Sequence, residues 1–323
     1  MYKMSEKSLF CALISLSIVK LAALIICRRK KLRKFEKVGS LVAIYQYPLK
    51  SGGLIHLDSA TCTSVGLLHD DITDRTWMAI RQDGSFLSAR VEPKLVLIKP
   101  SSDGNKLRLE APGMPPLYLP KFPEISAQSK LIKCRVWDEY ITGLHCGTEA
   151  EKWIGRFLNS DGVCIVTSTS NMEKREASLV YKPTGNPAKE GDVAAFADWA
   201  AYMVLSEASV EDLNTRLQKQ VTMTQFRPNI IITGCAPYDE ENWSEMRIGE
   251  KVYIRLLDLC SRCTLTTVDP LKGEKDPQGQ PLETLKSYRY FDEFQAPCFG
   301  VNAALDIGGI IKVGDPVYVL RRT

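Results

Sequence analysis

The stretch Leu41–Leu49 reads LVAIYQYPL. It is apolar, β-branched and aromatic, and it stops at Pro48, which predicts a strand closed by a turn. Outward from it, short runs of the same kind recur at Trp77–Ile80, Leu95–Ile98, Leu107–Leu109, Leu117–Leu119, Cys134–Trp137, Cys164–Thr167, Asn229–Thr233, Val252–Leu257 and Val317–Leu320. Gln82-Asp83-Gly84 and Ser102-Asp103-Gly104 punctuate them as turns. Two stretches read as helices. Thr148–Leu158 opens with Thr148 and Glu151 at capping-box spacing and carries Trp153, Ile154 and Phe157 on one face. Ser209–Gln218 opens with Ser209 and Asp212 and carries Val210, Leu213 and Leu217 on one face. Many short strands and few helices predict a β-rich α+β body with barrel-like sheets. Gly185–Gly191 (GNPAKEG) reads as a loop, and a boundary between two lobes is expected within 165–192.

The chain has 323 residues, 45% hydrophobic and 25% charged, which excludes a mostly disordered chain, a collagen-like fibre and a polytopic membrane protein. Its net charge of +4 hides an asymmetry. Up to Lys37 there are ten Lys/Arg against two Glu, and the remainder carries 32 Lys/Arg against 36 Asp/Glu. The body is therefore mildly acidic, unlike a general nucleic-acid binder. Ten cysteines are scattered along the chain, apart from one close pair, and read as reduced thiols of a cytosol-facing body rather than a disulfide scaffold.

Leu9–Cys27 reads LFCALISLSIVKLAALIIC, 19 residues with one charge, Lys20. As a helix it spans roughly 28 Å, enough to cross a bilayer core. A basic cluster, Arg28-Arg29-Lys30-Lys31-Leu32-Arg33-Lys34, follows at once. A cleaved secretory signal places its charge before the apolar run instead. The reading is an uncleaved anchor whose basic flank keeps the body in the cytosol. Such an anchor suits the mitochondrial outer membrane and the endoplasmic reticulum alike.

The sharpest local chemistry is Cys260-Ser261-Arg262-Cys263. Half a zinc site is one reading, but no second CxxC exists and His56, His69 and His145 have no ligand spacing. A redox dithiol is another, without a thioredoxin-like context. Spacing alone favours two buried small hydrophobes. The functional reading is a thiolate for a soft metal centre, with Arg262 placed to lower a thiol pKa if it turns that way. Basic groups form a second set: Lys50-Ser51 after Tyr47-Pro48, Asp74-Arg75, and Phe226-Arg227-Pro228-Asn229. Singly each reads as a solvated strand end, whereas together they would make an anion site. P-loop, GxGxxG, HExxH and GxSxG signatures are absent from the sequence.

These motifs occur together and in order, along with Lys312-Val313-Gly314-Asp315-Pro316-Val317, Leu205–Asn214 (LSEASVEDLN), Leu265–Pro270 and Pro281–Arg289 (PLETLKSYR). They resemble the MOSC-domain molybdenum proteins, and among these the mitochondrial amidoxime-reducing component family. The resemblance implies an anchor and basic flank over 1–37, a MOSC N-terminal β-barrel-like region over 38–165 and a MOSC domain over 166–323, with a cofactor site shared between the lobes. It implies the molybdenum cofactor, a pterin dithiolene bearing a phosphate. Cys263 would be the catalytic thiol and the sulfur ligand to molybdenum. Lys50, Ser51, Arg75 and Arg227 would hold the pterin and its phosphate, with Asn229, Ser261 and Arg262 lining the pocket. The implied activity is reduction of amidoximes, hydroxylamines and hydroxamic acids, with electrons from NADH through cytochrome b5 reductase and cytochrome b5. The implied place is the mitochondrial outer membrane. The alternative is a non-catalytic cofactor or sulfur carrier, related to the carboxyl-terminal domains of cofactor sulfurases. The chain is too short to hold a complete pyridoxal-phosphate desulfurase as well. Two positions depart from the family pattern: Trp199-Ala200 stands for a Thr-Ser pair, and Phe299-Gly300-Val301-Asn302 ends in an amide where the pattern has a Tyr.

Overall fold

Seven strands close on themselves in the structure, a computed structural model that describes residues 34–182 and 185–322. Around the ring they are Tyr202–Ser206, Ile230–Thr233, Glu36–Gln46, Pro316–Arg321, Trp243–Ile248, Val252–Ser261 and Ala296–Ile307. The last pairs back to the first, with Val301 opposite Val204. Tyr202–Ser206 runs parallel to Ile230–Thr233, while the latter runs antiparallel to Glu36–Gln46. The first described strand is thus built into a wall made otherwise of strands from beyond residue 201.

Strand alternation explains why the wall is buried on both faces. Tyr202, Val204, Ile230, Ile232, Leu41 and Ile44 fill the interior with Met246, Ile254, Val301 and Val319. Met203, Leu205, Ile231 and Ala43 face outward and are covered by Val210, Leu213, Phe226 and Phe299. Gly300 permits one close approach in this wall. Its φ is 72°, and a Cβ there would lie 2.8 Å from the Val204 carbonyl oxygen.

Three smaller sheets, with two short two-stranded ribbons, complete the β-rich α+β body among the described residues. Leu131–Val136, Glu139–His145, Cys164–Thr167 and Trp77–Ile80 form one, and Gly309–Lys312 joins Ser59–Thr63, Gly66–His69 and Ile72–Thr73 in another. Lys99–Asp103, Lys106–Glu110 and Leu117–Pro120 form the third. Gln46 ties the barrel to the second sheet, its buried amide donating to Leu67 O (3.0 Å) and Ile72 O (2.7 Å).

Most expected strands are present, but Leu95–Ile98 is not one of them. It lies largely in a 3-10 helix, Pro93–Leu97. Pro93 fixes φ at the first turn and removes a ladder donor, and the apolar run lacks the alternation that marks a half-buried strand. The helix Thr148–Leu158 has the expected bounds and buries Ala150, Trp153, Ile154 and Leu158. Its capping box does not form: Gly147 is the N-cap, and Glu151 instead accepts from His145 Nε2 (3.1 Å). The second helix spans Glu207–Asn214 rather than Ser209–Gln218. Ser206 caps it by accepting from Ser209 N (3.1 Å), so Ser209 is the donor of the cap and not the cap itself.

The expected anchor, Leu9–Cys27, lies outside the described residues. Among those described, no helix is long and apolar enough to cross a membrane. The eight described cysteines are free thiols.

Candidate active site

Three candidate residues share an unusual backbone. Ser51, Arg75 and Arg227 all lie in the left-handed region, with φ of 66°, 51° and 55°. Each costs roughly 1–2 kcal/mol in an L-residue, so the surrounding contacts must hold them there. Those contacts radiate from Asp74, 2% exposed. Its carboxylate accepts from Tyr47 N (2.6 Å), from Asn229 Nδ2 (3.1 Å) and, in an ion pair, from Arg75 Nη1. Burial pushes the Asp74 carboxyl up, against the pull of the Arg75 guanidinium and the Tyr47 amide.

Asp74 thereby fixes Arg75, whose remaining bonds run to Asn229 Oδ1 and Arg227 O (both 3.2 Å). Arg227 donates through Nη1 to Gly52 O (2.7 Å). The two guanidinium carbons lie 5.0 and 4.2 Å from the centre of the Tyr47 ring, which serves both as a platform. Lys50, 5% exposed, donates to Phe196 O (2.7 Å) and Asp198 Oδ1 (2.5 Å). Burial lowers its ammonium to about 8, although Asp198 pulls the other way. Segments 45–53, 73–77, 196–198 and 226–229 therefore converge, bringing Lys50, Ser51, Arg75, Arg227 and Asn229 together.

The thiol end is built differently. The barrel strand Val252–Ser261 runs out at Arg262, and Cys263 caps a short 3-10 helix, Thr264–Thr267. Cys263 is exposed, and its carbonyl accepts from Thr266 N (3.1 Å) and Oγ1 (2.9 Å). Ser261 is also exposed and pairs with Cys298 across the ladder. Arg262 is held by backbone carbonyls. Its Nε reaches Phe299 O (2.8 Å) and its Nη1 reaches Phe226 O (2.9 Å). That second bond joins the neighbour of Cys263 to the neighbour of Arg227. Cys260 packs against the outer barrel cluster, and burial raises its thiol although Arg262 lowers it.

Two side chains are spent within the protein. Asn229 uses its amide on Met203 N, Arg75, Tyr45 O and Asp74, and Arg262 uses its guanidinium on backbone carbonyls. Both position other groups. The free donors lie elsewhere. A guanidinium has five N–H and an ammonium three. Among the described residues, Arg227 has one hydrogen bond, Arg75 three and Lys50 two. Arg227 Nη2 and Tyr47 Oη are buried without a hydrogen-bond partner among the described residues. A cavity of about 950 Å³ adjoins the cluster, lined by Tyr47, Gly52, Gln225, Arg227 and Thr267 among others. Of the eight expected site residues, Arg227 alone lines it.

The departures from the family pattern are absorbed locally. Trp199 donates from its indole to Ala177 O (2.9 Å), packs on Leu257 and Ala304, and carries Lys182 Nζ 3.4 Å from its ring centre. None of these partners belongs to the cationic cluster. Asn302 donates to Leu259 O (3.4 Å) on the neighbouring strand. Sequence reasoning missed Asp74 as the hub, Tyr47 as the platform and Asp198 as the partner of Lys50. Asp74 beside Arg75 reads as a solvated charge pair, and nothing in the sequence links Asp198 to Lys50, 148 residues away.

Comparison with known proteins gives the class first. Residues 38–161 match the MOSC N-terminal beta barrel domain, and residues 191–318 match the MOSC domain. Mitochondrial amidoxime reducing component 2 of Bos taurus is 39% identical over 292 residues, covering 88% of this chain and 84% of that protein. Mitochondrial amidoxime-reducing component 1 of Mus musculus is 39% identical over 302 residues, covering 91% and 86%. The Homo sapiens component 1 is 40% identical over 303 residues, with the same coverage. The chain belongs to the mitochondrial amidoxime-reducing component family of MOSC-domain proteins.

Proposed function

We propose that the chain is a molybdenum-cofactor-dependent reductase of N-hydroxylated compounds: amidoximes, hydroxylamines and hydroxamic acids. The observation that carries this reading is the pairing of open cationic donors with an exposed thiol, joined by the Arg262–Phe226 hydrogen bond. The donor set fits a phosphate-bearing dithiolene. Cations with spare N–H groups match the phosphate, and a soft sulfur matches molybdenum. The names of the relatives support the same chemistry.

Lys50, Arg75 and Arg227 would hold the phosphate and pterin, with Ser51 beside them. Asp74 and Asn229 keep Arg75 aimed, and the Tyr47 ring keeps both guanidinium planes in place. Arg262 fixes the strand end from which Cys263 would supply its sulfur to the metal. When bound, the cofactor supplies the two-electron chemistry that takes oxygen from nitrogen, leaving the N–H compound and water. Electrons would come from NADH through cytochrome b5 reductase and cytochrome b5. The amino-terminal apolar run would anchor the body on the cytosolic face of the mitochondrial outer membrane.

The exposure of Cys263 also suits a sulfur or cofactor carrier. Turnover separates the two. Full-length chain loaded with cofactor is mixed with NADH, cytochrome b5, its reductase and an aromatic amidoxime. Many amidines formed per chain, and none with Cys263→Ala, are expected. At most one product per chain would favour the carrier and reject the reductase.

A further inference from the structure

Of the four expected cations of the site, Lys50 and Arg75 have an internal counter-charge, and the two partners differ. Asp74 is sealed in beside Arg75, with 1% of its side chain exposed. Asp198, the partner of Lys50, has 67% of its side chain exposed, although Lys50, the Trp137 indole and Arg90 together hold its carboxyl well below the usual carboxylate range. The Lys50 ammonium is therefore fixed at its buried end, and its carboxylate partner stands in solvent.

The backbone around Asp198 is held without help from that carboxylate. Arg175 donates to Ala197 O (2.7 Å) and Asp198 O (3.2 Å), and is itself anchored in an ion pair with Glu139. Phe196, which gives Lys50 its other acceptor, is fully buried and bonded through its N–H to Arg75 O (3.1 Å). Among the described residues, two hydrogen bonds hold the Asp198 side chain. One comes from Lys50 and the other from the indole N–H of Trp137 (3.0 Å). Trp137 lies in the tight turn between Leu131–Val136 and Glu139–His145, with φ of 57° and 45% exposure. One side-chain rotation would free Lys50 while the Phe196 carbonyl stays in place.

We infer that Asp198 is a displaceable internal counter-anion, which keeps the Lys50 ammonium paired until a phosphate-bearing ligand takes its place. The inference rests on the reading of Lys50 as a phosphate ligand. An incoming phosphate monoester carries about −1.5 to −2 charges at pH 7 and three acceptor oxygens, against one charge on the carboxylate. It also reaches Arg75 and Arg227, which Asp198 does not touch among the described contacts. Weak anions gain too little to displace the carboxylate. Trp137 acts as a positioning residue, because it restrains the competitor and not the ligand.

The test is phosphate binding by titration calorimetry on the full-length chain, purified in detergent from cells that do not make the cofactor. Inorganic phosphate is the probe. Asp198→Asn removes the competing charge and keeps an amide oxygen for Lys50. It should bind phosphate about fivefold tighter, the scale of one partly exposed ion pair. Trp137→Phe changes no charge, yet it should also tighten binding, by a smaller factor, because Asp198 is released more easily. In a Lys50→Ala background both gains should vanish. Unchanged or weaker phosphate binding by Asp198→Asn overturns the proposal. Tightening by Asp198→Asn with no response to Trp137→Phe also overturns it, since that is a field effect and not displacement. Gains that persist without Lys50 overturn it as well. Molybdenum retained per chain by the wild type, measured separately, judges the reductase reading. Its failure leaves the phosphate result on the cofactor-free chain intact.

Discussion

The two ends of the site are built on opposite principles. The cationic end is buried and cross-braced: Asp74, Arg75, Asn229 and Tyr47 come from three separate segments, and each touches at least one of the others. The thiol end is one strand terminus with an exposed sulfur, braced by a single neighbouring guanidinium. The contrast teaches that stability and function are separable along this site. A buried charge left without its partner costs about 3–5 kcal/mol, whereas an exposed side chain away from other groups is worth within about 0.5 kcal/mol.

Stability is the strongest way to break the comparison. Asp74→Ala leaves the Arg75 guanidinium, the Tyr47 N–H and the Asn229 amide without their shared acceptor. Urea unfolding should show a loss of about 3–5 kcal/mol, while Cys263→Ala should lie within about 0.5 kcal/mol of wild type. Equal losses for the two variants would end the distinction.

The next effect is on pH. Burial holds the Lys50 ammonium at about 8, below its usual 10.5. Its charge is needed for anion binding, so phosphate affinity in the cofactor-free chain should fall about tenfold from pH 7 to pH 9. For stability the sign is opposite. The folded pKa lies below the unfolded one, so the cost of the buried charge is fully present below about 8 and is relieved as pH rises toward 10.5. Calorimetric titrations at several pH values check the midpoint, and an unaltered affinity across that range would remove Lys50 from the anion site.

A smaller effect separates the two thiols of the CxxC. Cys260 is packed against the barrel, with its thiol raised by burial, while Cys263 is exposed. Iodoacetamide followed by peptide mass mapping should label Cys263 well ahead of Cys260 in the folded chain. Smallest of all, Cys260→Ala removes one sulfur from a half-buried position. It should cost about 1 kcal/mol with cofactor retention unchanged.

Much of the sheet structure was legible because its strands carry apolar, β-branched runs of strand length. Trp77–Ile80 and Cys164–Thr167 have the expected bounds. Leu95–Ile98 was misread because a short apolar run without alternation fits either a strand or a buried turn, and Pro93 decided it. The capping reading of Thr148 failed because Gly147 and His145 take over that helix start. At the site, residue types and motif order pointed to Lys50, Arg75, Arg227 and Cys263. Their wiring was not legible. Asp74 gains its role only when residues 47, 75 and 229 meet, and Asp198 gains its role only beside Lys50. Such convergence is a property of tertiary packing, which local pattern does not encode. Trp199 shows the reverse case: a bulky substitution at a motif position, whose indole the neighbouring turn accommodates.

The central claim is that Cys263 and the cationic cluster hold one molybdenum cofactor. The most direct test is molybdenum and pterin content per chain, for wild type and Cys263→Ala purified side by side from cells that make the cofactor. The account predicts near-stoichiometric metal and pterin in the wild type, and lost metal or altered coordination in an equally folded variant. A well-folded wild type without molybdenum, or a variant with unchanged metal content and coordination, would contradict it.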